Sequence, residues 1–75
     1  MMENIKEILK EVRSDADFNS SENFIEDELL DSLDIIKLIS LIDNTFEISI
    51  EAEDIVPENF ISINTINNLI SKYLL

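Results

Sequence analysis

Asp31-Ser32-Leu33-Asp34 is the stretch whose residue types and spacing best suit chemistry. It places a serine hydroxyl where an acidic loop gives way to a strongly amphipathic helix. Backbone N–H groups at a helix start have no intrahelical partner, and the helix dipole is positive there. A phosphate on that hydroxyl would therefore be stabilised. Asp31 can act as N-cap, with Asp34 three residues on completing a capping box. The chain offers no other comparably placed nucleophile. It has no Cys, no His and no Trp, so thiolate chemistry, the imidazole base and the usual catalytic triads are all absent.

A second constellation competes with the first. Asp15, Asp17, Asn19, Ser21, Asn23 and Glu26 fall at the ligand positions of an EF-hand calcium loop, and a helix precedes them. The glycine that such a loop needs for its sharp turn is replaced by Ser20, and no second loop exists to pair with this one. The other carboxylates, as in Glu26-Asp27-Glu28 and from Glu51 to Asp54, have no second catalytic group beside them and read as solvated surface.

The elements that position these groups follow from hydrophobic periodicity. Ile5, Ile8, Leu9 and Val12 predict a helix from Glu3 to about Ser14, with Lys6, Lys10 and Arg13 on its other faces. Asp15 to Asp31 reads as a long polar loop anchored by Phe18, Phe24, Ile25, Leu29 and Leu30. The spacing predicts a second helix from Ser32 to Phe46 whose inward stripe is Ile35, Leu38, Ile39, Ile42 and Phe46. Leu33 and Ile36 fall off that stripe, beside Lys37, Ser40 and Asn44. Two exposed apolar residues next to the serine suggest a contact patch. Ile48-Ser49-Ile50 reads as a short extended segment. Asp54 to Phe60 reads as a short helix or turn, since proline suits a first helical turn. A last helix starts with Ser62 as N-cap and runs to about Leu74, with Ile63, Ile66, Leu69, Ile70 and Tyr73 facing in. With no glycine in the chain, helix ends are expected to close on Asn, Ser or Asp, or on partly unwound turns. The fold class is all-α: a small four-helix bundle of three main helices, one short third helix and a long first loop.

Composition narrows the function further. The 75 residues make one domain, spanning 1–75, with a marginal core. A chain this short is poorly suited to build a water-excluding cleft, so it reads as no enzyme. The net charge of −12 argues against nucleic-acid binding, which needs Lys and Arg to displace counterions. It favours partners with basic surfaces met by electrostatic steering. No run approaches the roughly 20 apolar residues of a membrane span. The start, Met1-Met2-Glu3-Asn4, has no charged segment followed by an apolar one, so a cytoplasmic monomer is expected.

The wider pattern is more specific than the serine motif alone. It runs Leu29-Leu30-Asp31-Ser32-Leu33-Asp34, then Leu38, Ile39, Ile42 and Phe46, then Ile48 and Ile50, then Ser62-Ile63 opening the last helix. In this it resembles the acyl carrier protein family, the phosphopantetheine-binding carrier proteins, over nearly the whole chain. The resemblance implies a four-helix bundle with no catalytic site. It implies that Ser32 is the attachment point for 4′-phosphopantetheine, which a magnesium-dependent phosphopantetheinyl transferase moves from coenzyme A. The terminal thiol of that arm then holds an acyl or aminoacyl group as a thioester, so the missing Cys is imported on a tether. It further implies that Asp31 and Leu33 flank the attachment site. Asp31, Asp34, Asp43 and Glu47 would meet basic patches on acyl- or aminoacyl-loading and transferring enzymes, with Leu33, Ile36 and Lys37 on the same docking face. Ile50 and Ile55 would lie near the arm, beside a cavity between the second and third helices.

Three positions depart from the fatty-acid carriers. Those carriers usually have Gly where this chain has Leu29, Glu where it has Lys37, and often Met where it has Ser40. Leu-Leu-Asp-Ser is similar to the carriers of D-alanine and other dedicated pathways. The expected function is thus a stand-alone carrier modified at Ser32, serving a specialised lipid or secondary-metabolite pathway rather than housekeeping fatty-acid synthesis. One alternative is an aminoacyl (D-alanyl or peptidyl) carrier loaded by an adenylating ligase. Another, from a different class, is an acidic helical module that binds calcium or a partner without modification.

Overall fold

The computed structural model describes residues 2–74 of the chain. Three α-helices carry the fold: α1 (Met2–Val12), α2 (Ser32–Phe46) and α3 (Ile63–Leu74). No strand occurs among the described residues. The apolar stripes explain how they pack. Ile5, Ile8 and Leu9 of α1, Leu38 and Ile42 of α2, and Ile66, Leu69 and Ile70 of α3 are all buried in one core. α1 packs against both α2 and α3. Burying side chains of this size stabilises the fold by about 1.5–3 kcal/mol each, offset by the conformational entropy that ordering costs.

The long first loop is held by its aromatic residues. Phe18 and Phe24 are buried and meet edge to face, with ring centroids 4.9 Å apart. Leu30 is buried beside them, while Ile25 and Leu29 are half-buried. Phe18–Ser20 forms a 3-10 turn capped by Asp17, whose carboxylate accepts from the Asn19 N–H. The Phe24 N–H donates to the Ile61 carbonyl at 2.7 Å, so the first loop is stitched to the segment ahead of α3. That segment fixes the start of α3 as well. Ser62 Oγ accepts from the Thr65 N–H, and Thr65 Oγ1 accepts from the Ser62 N–H, both at 3.1 Å.

Two expectations change in detail. The short third helix is not an α-helix. The chain makes two 3-10 turns there, Ala52–Asp54 and Pro57–Phe60, and the second packs against α3 through fully buried Phe60. Val56, the residue before the proline, is held extended at φ −127° and ψ 149°. A residue before proline is pushed out of the helical region, and this breaks the segment in two. The close of α2 also differs. It ends on Glu47 in the left-handed conformation, φ 55° and ψ 47°, rather than on Asn, Ser or Asp. The Glu47 and Ile48 N–H groups both donate to the Asp43 carbonyl there.

Candidate functional site

Ser32 is the first residue of α2 and is exposed. The cap is made by its neighbours. Asp31 is extended, at φ −109° and ψ −174°, and its carboxylate accepts from the Asp34 N–H at 2.9 Å. Asp34 Oδ2 accepts in return from the Asp31 N–H at 3.2 Å. The Ser32 hydroxyl is therefore not needed to hold the helix start, and it is left at the surface. The Asp34 N–H, joined by lesser donors and the Arg13 charge, holds the Asp31 carboxyl below the usual carboxylate range against an opposing effect of burial.

Arg13 braces this junction from behind. Its guanidinium lies 3.5 Å from Asp34 Oδ2 and 3.5 Å from the Leu29 carbonyl, and it also bonds Asp15 at 3.2 Å. Sequence periodicity placed Arg13 only off the apolar face of the first helix. A contact across 21 residues of chain leaves no periodic trace.

A groove of about 470 Å³ opens beside Ser32. Ile35 and Ile36 of α2 form one wall, Ile55, Val56, Pro57 and Phe60 the other, and Ile25 and Leu30 complete it. Apart from Asp31 and Ser32 at its mouth, every lining residue is apolar. An exposed hydroxyl at a helix start, opening on an apolar groove, fits a phosphodiester with an extended, partly apolar arm. Ile55, exposed, lines the groove together with Ser32. Ile50 does not line the groove: it is 9% exposed and belongs to the core, its N–H donating to Asp43 Oδ1 at 3.1 Å.

The residues expected on the docking face divide into two groups. Leu33, Ile36, Lys37, Asp31 and Glu47 are exposed, Leu33 at 70% and Ile36 at 63%. Asp34 and Asp43 are turned to the fold's own use. Asp34 is only 7% exposed and committed to the cap and Arg13, and half-buried Asp43 holds the Ile50 N–H. The exposed stripe of α2 that runs from Leu33 through Ile36, Lys37 and Ser40 to Asn44 carries no carboxylate.

The residues that could mark a calcium loop serve local bonds. Asp15 pairs with Arg13, Asp17 takes the Asn19 N–H and the Ser20 hydroxyl, and Ser21 donates to Asp27. Asn23 caps the Ile25 and Glu26 N–H groups. Among the described residues no group of three or more acidic side chains is gathered to hold a metal ion.

Residues 2–71 match the family model described as phosphopantetheine attachment site. None of the curated proteins or solved structures compared with the chain matches it.

Proposed function

The chain belongs to the phosphopantetheine-attachment family of acyl carrier proteins, and on that premise we propose that Ser32 is the residue that bears the arm. The family carries 4′-phosphopantetheine as a covalent group, and the chain is a phosphopantetheine carrier. The observation that supports Ser32 is its exposed hydroxyl at the start of α2, freed by the reciprocal Asp31 and Asp34 cap and opening on an apolar groove. When bound, the arm supplies the thiol that carries an acyl group as a thioester.

The chain's own residues do the rest. The positive end of α2 favours the phosphodiester. Asp31 and Asp34 fix the direction in which α2 leaves the loop, and Arg13 ties that junction to the end of α1. Ile36, Ile55 and Val56 shelter apolar parts of the arm or its cargo from water. Leu33, Ile36 and Lys37 form the docking face for transferases and acyl-handling enzymes, flanked by exposed Asp31 and Glu47, which favour basic surfaces on those partners. Asp34 and Asp43 are left out of that face because their carboxylates are already used.

Lys37 at the centre of the face, with no exposed acid on the α2 stripe, favours a dedicated pathway over housekeeping fatty-acid synthesis. The Leu29-Leu30-Asp31-Ser32 pattern keeps an aminoacyl carrier, loaded by an adenylating ligase, as the second reading. Peptide mapping after incubation with coenzyme A, magnesium and a phosphopantetheinyl transferase tests the site. The added mass is expected on the peptide containing Ser32; its appearance at another hydroxyl would reject this assignment.

A further inference from the structure

One wall of the groove beside Ser32 belongs to a segment with little regular structure of its own. Residues 47–62 contain no α-helix, only the two 3-10 turns. Asp54 immediately precedes the wall residues Ile55, Val56 and Pro57, and it is the most heavily bonded residue of the segment. Lys72 Nζ donates to Asp54 Oδ1 at 2.8 Å, and the Tyr73 hydroxyl donates to Asp54 Oδ2. The same hydroxyl oxygen accepts from the Glu51 N–H at 2.9 Å. The Asp54 carbonyl accepts from Asn59 Nδ2 at 2.8 Å, which closes the wall segment on itself. Two consecutive residues of α3 thus hold the segment at Glu51 and at Asp54.

We propose that Asp54, Lys72 and Tyr73 form a latch that fixes the groove wall and so sets the length of acyl chain the groove accepts. The inference rests on the reading that cargo attached through Ser32 lies in this groove. The wall is carried by Ile55, exposed at 41%, half-buried Val56 and exposed Pro57, which fill little of the core. Buried Phe60 anchors only the far end. Between Ile50, buried at the near end with its N–H on Asp43, and Phe60 at the far end, the bonds from α3 are the main restraint on outward movement of residues 51–57. Such movement widens the groove on the side away from α2. Asp54 is also charged, and both of its partners favour the charged form: Lys72 first and Tyr73 second hold its carboxyl below the usual range.

The latch is tested with two variants. Tyr73→Phe removes one hydroxyl and both of its bonds. Lys72→Gln alters a side chain that is 61% exposed, so its fold is safe. Each protein is loaded at Ser32 by a promiscuous phosphopantetheinyl transferase from acetyl-, hexanoyl-, decanoyl- and palmitoyl-coenzyme A, and the Tm of each product is measured. A chain that enters the groove stabilises the native state, as any native-state ligand does. Tm is expected to rise with chain length to a limit in the native protein, and the limit is expected to move to longer chains in both variants. The same limit in all three proteins overturns the latch, and so does a Tm that ignores chain length. In either case mass gain at Ser32 still stands as separate support for the carrier reading. Hydrogen exchange on the unmodified proteins tests the latch even if Ser32 takes no arm. Exchange at Ile55 and Asn59, whose N–H groups are bonded within the segment, is expected to quicken about fivefold in Tyr73→Phe, the factor a typical net hydrogen bond carries, with α1 unchanged. Equal exchange in both proteins would overturn the latch.

Discussion

Asp31 and Asp34 hold each other across the start of α2: each carboxylate accepts the other's backbone N–H, at 2.9 Å and 3.2 Å. Ser32 lies between them and takes no part in the cap. The same four residues therefore separate structure from chemistry. The two aspartates make the helix start, and the serine is left free to be modified.

That separation sets the first expected outcome. Asp34→Ala removes one half of the cap, leaving the part-buried Asp31 N–H without its acceptor, and takes one of several partners from Arg13, so it should destabilise the fold by about 1 kcal/mol. Ser32→Ala should stay within about 0.5 kcal/mol of the native protein, as surface changes do. Urea denaturation of the two variants checks this. Equal losses in both would mean that Ser32 shares the cap.

Glu47 closes α2 at φ 55°, a conformation that costs a residue with a Cβ roughly 1–2 kcal/mol and costs glycine little. Glu47→Gly is expected to stabilise the protein by up to about 1 kcal/mol in the same assay. A loss of stability would show that the Glu47 side chain matters more than its backbone.

Leu33 and Ile36 are exposed at 70% and 63% and contribute little to the core. Leu33→Ala and Ile36→Ala should leave Tm unchanged. If the face docks partners, each should lower kcat/KM for arm transfer by about tenfold, the loss expected of an apolar interface anchor. Unchanged kinetics in both variants would remove this face from docking by the transferase.

The Asp54 network carries a pH signature on both sides of neutrality. Lys72 and then Tyr73 hold the Asp54 carboxyl below its ordinary 3.8. A depressed carboxyl stabilises the fold above its unfolded value, and that contribution is lost as pH falls through the folded one. Asp54 in turn raises Lys72 above 10.5 and Tyr73 above 10.0. A raised value stabilises below the unfolded one, and the contribution is lost as pH rises through the folded one. The stability difference between the native protein and Lys72→Gln should therefore be greatest near neutrality, shrinking below 3.8 and above 10.5. A difference that is flat across this range would contradict the Asp54–Lys72 bond.

Much of this was legible in the sequence because it is periodic or local. The stripe through Leu38 and Ile42 places α2 from Ser32 to Phe46, its observed span, and the three-residue spacing of Asp31 to Asp34 marks the cap. Ser62 opening α3 was legible for the same reason. Asp34 was less well read. It stands four residues before buried Leu38, so the wheel that turned Leu38 inward also turns Asp34 inward, and the charge hid that signal. Asp43 is half-buried because its carboxylate takes the Ile50 N–H seven residues on, a contact beyond the end of α2 that helical periodicity does not encode. Lys72 and Tyr73 on Asp54, and Arg13 on Asp34, join residues 18 to 21 positions apart. No periodicity encodes such contacts; they exist only once the core has brought the helices together. Val56 and Pro57 as groove wall were unreadable for the same reason.

The central claim is that Ser32 bears the arm, and intact mass tests it most directly. The native protein and Ser32→Ala are each incubated with coenzyme A, magnesium and a broad-specificity phosphopantetheinyl transferase. The native protein is expected to gain the mass of one phosphopantetheine, and Ser32→Ala, folded to the same Tm, is expected to gain none. An equal gain in both proteins, or no gain in the folded native protein, would contradict it.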